Sequence, residues 1–431
     1  MSAFLPPETR ILRTRLAARD ARRAALLVRR LRAAARALTA KHRREAATAL
    51  DALTAALSGS HGARRAALLS APATRAWLNA AEEALGLLDD APSDVLFERV
   101  ARGPHLARAL PAGRVDRGFR TRVRRLGAEL AERVLLQLPP LLAFHTPAGL
   151  RFGPFTADLS PDGETARAAG ELPLFHPVPA VLTLAPDARF ELVWGGVRLM
   201  QRGSMPSWTP AMRVEGSDIV LERHVVSTPS GLRPGAPPSA ALSRRLGRAL
   251  SLIRRAWAPA WREVRAHTQV VVPLAEKATV SFSLPDRPGV SYINVKGKSL
   301  VDLADDLLHE TAHHRLHGLE ELSPLVTAAG AADDVRYWSA WRRGPRPLRG
   351  ILHAAYTFTW RAELLRRLLA LADGALPRDW MRRQLRFETG ALRETVDDLR
   401  DARQRGLLTP AGVTVARAIE GRVAGLPRRV T

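Results

Sequence analysis

Two histidines four residues apart enclose a glutamate in the sequence His309-Glu310-Thr311-Ala312-His313. On a helix, positions i and i+4 lie about 40° apart around the axis and one turn apart along it, so two imidazoles at this spacing can bind one metal ion. Glu310 is rotated by about 100° from His309 and can stand beside such an ion. In a metal-dependent hydrolase it would act as general base on the bound water. The motif therefore predicts a metal centre.

The residues around the motif predict an amphipathic helix that would carry it. Ser299 is placed to cap the helix, with Asp302 as its partner three residues later in a capping box. The aspartates that follow suit the positive end of the helix dipole. The apolar positions recur at helical spacing and comprise Leu303, Leu307, Leu308, Ala312 and Leu316.

A metal site on this helix needs a third protein ligand, and His353 is the preferred candidate. It falls near the start of a second strongly helical segment, 352–372, so two crossing helices would bring three imidazoles together. Asp333 and Asp334 are the alternatives, because an aspartate completes some zinc sites. Glu320 and Glu321 are expected at the exit of the first helix instead.

His317 continues the same i+4 series but is not expected to share an ion with His309. The two lie about 12 Å apart along a straight helix, which exceeds the reach of one metal ion. We therefore expect His317 on the surface or behind the ligands.

The segment 341–350, WRRGPRPLRG, places four arginines next to His353. Arginine presents a planar fork of donors that matches a carboxylate, so this segment could hold an anionic co-substrate. The plainer alternative is a turn whose arginines are solvated.

Three segments together resemble the HExxH-type peptide β-hydroxylase family of ribosomal-peptide biosynthesis. They are 292–294 (YIN), 303–317 (LADDLLHETAHHRLH) and 337–356 (YWSAWRRGPRPLRGILHAAY), and the resemblance covers about 290–370. Residues 341–353 follow the pattern Trp-x-x-x-Pro-Arg-Pro-Leu-x-Gly-x-Leu-His, which is much more specific than HExxH alone.

The resemblance implies a fold, a set of cofactors and roles for particular residues. It implies a zincin-like core, with His309, His313 and His353 as iron ligands. It also implies Fe(II), 2-oxoglutarate and O₂ as cofactor and co-substrates, and a precursor peptide as substrate. Glu310 would then orient a ligand or substrate. The residues expected to bind 2-oxoglutarate are Arg343, Arg346, Arg349 and Tyr356.

Composition and charge set limits on the class of protein. The chain has 431 residues, no cysteine and a formal net charge of +24, and only four of its 66 basic residues are lysine. A disulfide scaffold and a thiolate metal site are thereby excluded. The positive field favours an anionic partner such as an acidic peptide, whereas arginines spread without interleaved aromatics do not favour nucleic acid. We also expect no membrane span and no signal peptide, and hence a cytoplasmic protein.

Hydrophobic periodicity predicts an α+β chain that is mostly α and has three regions. Residues 1–138 are expected to be helical, with breaks at 58–62, 91–94 and 111–113. Residues 139–240 are expected to be rich in strands, with a hairpin at Gly195-Gly196 and a linker at 227–240. Residues 241–431 would form the catalytic core. Its predicted elements are a helix at 241–267, strands at 269–273, 278–284 and 289–294, and helices at 300–317, 346–372, 378–404 and 410–424.

Two other functions remain open on the sequence alone. A zinc metallopeptidase would use Glu310 as base and zinc in place of iron. A basic binding protein would carry the motif by coincidence and would bind no metal.

Overall fold

The computed structural model of the chain describes most of the C-terminal half and a smaller share of the N-terminal half. The described residues are 8–35, isolated helical positions between 47 and 85, three strands between 181 and 200, 212–221, 239–275, 280–285, 288–371, 374 and 376–427. The predicted helix breaks at 58–62, 91–94 and 111–113 lie outside these residues, as does almost all of the predicted linker at 227–240.

The chain divides into two compact units. The first comprises Met1–Leu16, Met212–Val225 and Gly231–Thr431, and the second comprises Ala17–Ala211 and Val226–Ser230. The predicted catalytic region, 241–431, falls wholly within the first unit. The expected α+β class with a majority of helix is confirmed across the described elements.

The second unit contains helical packing and a small antiparallel sheet. Most of helix α1 (Thr9–Ala35) belongs to it, and Arg23 and Arg30 of this helix donate hydrogen bonds to the carbonyls of Leu78 and Leu85. The sheet order is β1-β2-β3, and Trp194 pairs with Val197 across the predicted Gly195-Gly196 turn. The predicted hairpin is thereby confirmed. The strands are β1 (Val181–Leu184), β2 (Phe190–Trp194) and β3 (Val197–Met200).

The first unit contains a five-stranded sheet with the strand order β4-β5-β6-β8-β7. The three inner strands are parallel, and the two edge strands β4 and β7 run antiparallel to their neighbours. Both β6 and β8 are buried along their whole length, as expected for strands covered on both faces. The strands are β4 (Met212–Arg213), β5 (Val220–Leu221), β6 (Val270–Leu274), β7 (Phe282–Ser283) and β8 (Val290–Asn294).

Six helices of the first unit pack around this sheet and one another. Helix α4 carries the HExxH motif and is central, since it packs against β7, β8, α2, α3 and α5. Helix α5 packs in turn against α6, α7 and a two-stranded hairpin. The helices are α2 (Ala240–Ala256), α3 (Ala258–His267), α4 (Leu300–Leu322), α5 (Leu348–Leu369), α6 (Arg378–Gln404) and α7 (Pro410–Ala424). The hairpin is formed by β9 (Arg336–Ser339) and β10 (Gly344–Pro347).

The single helix expected at 241–267 is in fact two helices that meet at Trp257. Pro259 is the physical reason, because its ring clashes with a carbonyl four residues earlier and it has no N–H to donate. The break falls at Trp257, two residues before Pro259, and Pro259 is accommodated in the first turn of α3, where its missing N–H costs no helical hydrogen bond. The amide of Trp257 still bonds to the carbonyl of Ile253 at 2.7 Å and so closes α2.

The segment before His353 forms a hairpin that the sequence did not predict, and the helix predicted from 346 begins at Leu348. Residues 336–347 form the antiparallel hairpin β9–β10, in which Pro345 pairs with Trp338 and Arg346 pairs with Tyr337. Prolines are tolerated there because a two-stranded ribbon consists of edge strands, where a missing N–H need not break a ladder. Helix α5 consequently begins at Leu348, directly after the hairpin.

Among the helices that the structure describes, none combines the length and the apolar character needed to cross a lipid bilayer.

Candidate metal centre

Helix α4 begins at a capping box and presents a row of histidines toward α5. The side chain of Ser299 accepts from the amide of Asp302, and the Asp302 carboxylate accepts from the amide of Ser299 at 2.8 Å, as the sequence predicts. Along the row, the ring centroids of His309 and His313 are 5.0 Å apart, and those of His313 and His317 are 5.9 Å apart. Three imidazoles therefore follow one another along a single face of the helix.

Helix α5 places His353 against the far end of this row. The Nδ1 atoms of His353 and His313 are 3.4 Å apart, and the ring centroids of His353 and His317 are 5.1 Å apart. One potential ligand atom from each of His313, His317 and His353 lies within 4.8 Å of the other two. The structure thus brings three imidazoles from two helices to one point.

The donor set fits a divalent transition metal. Imidazole nitrogens bind zinc at about 2.0–2.1 Å, which places two ligand nitrogens about 3.0–3.4 Å apart around one ion. The separation of 3.4 Å between His313 and His353 matches this spacing. Imidazole suits zinc and iron alike, so the ligands define a metal site without choosing the metal.

A carboxylate on the other side of His353 fixes the orientation of its ring. The Nε2 atom of His353 is 3.1 Å from Glu320, which also accepts two hydrogen bonds from Arg349 at 2.8 and 2.7 Å. Burial alone would raise the pKa of Glu320, but the hydrogen bonds from Arg349 and His353 outweigh it and lower that pKa to about 2. The ionised carboxylate favours a proton on Nε2, which leaves the Nδ1 lone pair of His353 free for a metal.

The ligand set that the structure brings together differs from the expected one at a single position. His317 is buried and belongs to the cluster, whereas its distance from His309 predicts a place on the surface or behind the ligands. The distance argument holds for His309 and His317, but His317 can share an ion with His313, which is only one turn away. His309 instead packs edge-on against Phe358 at a centroid distance of 5.0 Å.

Three cations act on the imidazole of His309. Burial lowers its pKa to about 3, and the charges of Arg361, Arg342 and Lys298 act in the same direction. The imidazole is therefore neutral at physiological pH.

Glu310 lies on the side of α4 that faces β7. Its side chain is 2 % exposed and sits beside Ser283. Burial raises the pKa of Glu310 to about 8, the contact with Ser283 lowers it, and the neighbouring carboxylates Asp306 and Asp305 raise it further. Without a bound metal, burial therefore favours the protonated form of Glu310, which is not the form that accepts a proton from water.

The residues expected to bind 2-oxoglutarate are dispersed. Arg349 is engaged with Glu320, whereas Arg343 and Arg346 are exposed on the hairpin. Tyr356 is fully buried and accepts a hydrogen bond from Arg315 at 2.7 Å, on the side of α4 that faces away from the histidine row. The structure therefore groups none of these four side chains with another.

The alternative third ligands also lie apart from the cluster. Asp333 and Asp334 are exposed in the loop that precedes β9. Glu320 lies in the last turn of α4, as expected, and its carboxylate contacts His353 there. One signal for His317 was present in the sequence, since His313 and His317 form a second i, i+4 pair beside the one in the motif.

The sequence was also compared with known proteins. No family model and no curated protein matches it.

Proposed function

We propose that this chain is an Fe(II)- and 2-oxoglutarate-dependent oxygenase that hydroxylates a β-carbon of a residue in a ribosomally made precursor peptide. The observation that supports it most is the convergence of His313, His317 and His353 from two helices. A zincin-like core would be the frame that holds them. The cofactor would be Fe(II), and the co-substrates would be 2-oxoglutarate and O₂.

The chain's own residues would hold the metal and leave room for ligands. Burial lowers the pKa of His313 well below its ordinary value, and the neighbouring histidines His309 and His353 add to this effect. A neutral imidazole is the form that binds a metal. Three nitrogens on one face of an octahedral ion leave three positions for co-substrates, as in other non-haem iron oxygenases with three-residue faces.

Bound iron would couple oxidation of the peptide to oxidative decarboxylation of 2-oxoglutarate. In such a reaction one atom of O₂ would enter succinate, with release of CO₂, and the other would be inserted into a C–H bond of the peptide to give the hydroxyl. The protein would supply position, exclusion of water and the fixed tautomer of His353. A net charge of +24 suits an acidic peptide as the partner.

The position of Glu310 favours this function over the zinc metallopeptidase. A peptidase needs a carboxylate that accepts a proton from the metal-bound water. Glu310 contacts the β7 side of α4 and lies near Asp305 and Asp306, at the opposite end of the row from His317 and His353.

Turnover with Fe(II), 2-oxoglutarate and air tests the proposal. We expect Fe(II)-dependent formation of succinate and a +16 Da product from a precursor peptide encoded beside the gene. His353→Ala should abolish both products, whereas Glu310→Gln should retain a substantial fraction of wild-type turnover. Cleaved peptide with Zn(II), lost in Glu310→Gln, together with no succinate, would contradict the oxygenase and support the peptidase.

A further inference from the structure

The tip of the β9–β10 hairpin is fastened beside His309. The ring of Trp341 stacks on Phe358 with centroids 4.4 Å apart and planes 3° from parallel, and Phe358 in turn contacts His309. The indole N–H of Trp341 donates to Glu388 on α6 at 2.7 Å. A stacked ring and a hydrogen bond to a buried carboxylate hold this loop in one place. The residue after Trp341 is therefore held at a defined position next to the histidine row.

That residue, Arg342, carries an unbalanced positive charge. Three cations act on His309, namely Arg361, Arg342 and Lys298. Arg361 is balanced by Asp305 at 3.0 Å and Glu388 at 3.2 Å, and Lys298 is balanced by Asp306 at 2.9 Å.

Within the described part of the chain, no carboxylate forms an ion pair with Arg342, which is exposed. Its guanidinium fork is thus available to an anion, and it is the cation near the histidine row whose charge the protein does not itself neutralise.

The backbone at the tip of the hairpin, next to Arg342, has one residue in an unfavourable conformation. Arg343 adopts a φ of 49°, in the left-handed region that residues with a side chain seldom occupy. Such conformations persist where the surrounding structure over-determines them, and they cluster at ligand-binding sites. Pairing of Ser339 with Gly344 closes the loop and places Arg342 and Arg343 at the turn.

We infer that Arg342 binds a carboxylate of a ligand that lies along the histidine row, with its other end at the metal. The inference rests on the proposed function in that a dicarboxylate keto acid would supply both ends. It assigns the carboxylate to Arg342 and not to Arg343, Arg346 or Arg349. A planar guanidinium binds a carboxylate through two parallel hydrogen bonds, which fixes the ligand's direction as well as its affinity.

Equilibrium binding to the Co(II)-loaded full-length protein without O₂ tests this assignment. The ligands are 2-oxoglutarate, 2-oxobutyrate, which lacks the distal carboxylate, and glutarate, which lacks the keto group. Isothermal titration should show that Arg342→Ala binds 2-oxoglutarate and glutarate about 10- to 100-fold more weakly and 2-oxobutyrate unchanged. Arg342→Lys should recover part of the loss. Arg346→Ala, on the same hairpin, is the matched control and should stay within about 2-fold of wild type.

The outcomes separate this inference from the proposed function. Equal affinities of wild type and Arg342→Ala for both dicarboxylates, or a larger loss in Arg346→Ala, would overturn the assignment. Wild-type protein that binds neither dicarboxylate would also overturn it. Binding of glutarate that depends on Arg342, without tighter binding of either keto acid, would support the carboxylate site and contradict the oxygenase.

Discussion

Metal binding at the candidate site would depend on which nitrogen atom of His353 carries a free lone pair. Glu320 contacts Nε2, so the lone pair on Nδ1 faces His313 and His317. Carboxylates that orient ligand histidines commonly contribute 10- to 100-fold to metal affinity. Glu320 is consequently as much a part of this site as the imidazoles, even though it would not touch the metal.

We expect Glu320→Ala to weaken metal binding by about 10- to 100-fold, because the ring of His353 would lose its fixed tautomer. Competition titration with a chromophoric chelator measures the affinity for Co(II) or Zn(II). Glu321→Ala, the adjacent residue on the same helix, is the control and should bind as wild type does. Equal affinities in both variants would show that the carboxylate does not orient the ligand.

Glu310 gives the metal-free protein a distinctive dependence on pH. Its pKa in the folded protein, about 8, is above the ordinary value of 4.5, so the folded state holds the proton more tightly than the unfolded chain. The stabilisation is complete below pH 4.5 and is lost as the pH rises toward 8. Glu310→Gln lacks this dependence because glutamine does not ionise.

The prediction is that Glu310→Gln gains stability over wild type as the pH rises from 5 to 8, by up to about 1.4 kcal/mol per pH unit. Urea unfolding of both proteins at pH 5, 6.5 and 8, with chelator present, measures the difference. Asp305 lies close enough to act on the pKa of Glu310, so the double comparison in an Asp305→Asn background removes its contribution. A difference that stays constant across this range would mean that Glu310 is ionised in the folded protein.

At the scale of elements, helix α6 fixes the hairpin that reaches the site. Buried Glu388 accepts from Trp341 on the hairpin and pairs with Arg361 on α5. One carboxylate therefore joins three elements. A carboxylate that satisfies a buried indole N–H and a largely buried guanidinium is costly to remove, because both partners stay behind without it.

Glu388→Ala should lower the free energy of unfolding by about 2–4 kcal/mol, since it leaves two buried polar groups unsatisfied. Glu394→Ala, at an exposed position of the same helix, should change it by less than about 0.5 kcal/mol. Urea denaturation monitored by tryptophan fluorescence provides both values. Equal stabilities of the two variants would show that Glu388 does not anchor the hairpin.

At the scale of the whole molecule, the C-terminal helices pack onto the segment that leaves α4. Val326 and Leu408 form a β-bridge, and Gly412 on α7 lies directly against the carbonyl of Leu325. A Cβ atom at position 412 would stand 1.9 Å from that oxygen, which no side-chain movement can relieve. Glycine is required here by close approach of two backbones.

Gly412→Ala should therefore destabilise the protein by about 2 kcal/mol or more, as expected of overpacking against a backbone. Gly421→Ala lies on the same helix with open space around its Cβ position and should stabilise by about 0.5–1 kcal/mol. Thermal unfolding of the two variants compares them directly. A stable Gly412→Ala variant would contradict the packing of α7 against this segment.

Local signals in the sequence predict much of this molecule. The capping box of Ser299 and Asp302, the turn at Gly195-Gly196 and the bounds of α6 and α7 follow from neighbouring residues, and the structure confirms them. Neighbouring residues do not determine whether His309 or His317 joins His313 and His353 at the candidate site. This choice depends on how far α5 is displaced along α4, which packing of distant residues determines.

The hairpin at 336–347 could not be predicted from its own residues, because distant contacts stabilise it as well. Its prolines argue against a strand, and its stability comes from α5 and α6, through Trp341 and Glu388, more than from its own sequence. The same distant contacts place Arg342, so residue type alone cannot distinguish it from Arg343, Arg346 or Arg349.

The most direct test of the three-histidine site measures metal binding by three proteins, namely the wild type, His317→Ala and His309→Ala. We predict that the wild type binds one equivalent of Co(II) or Fe(II) per chain and that His317→Ala loses this binding. His309→Ala should retain the single equivalent with an affinity within a few-fold of wild type. Absence of binding by the wild type, or loss in His309→Ala with retention in His317→Ala, would contradict the three-histidine site formed by His313, His317 and His353.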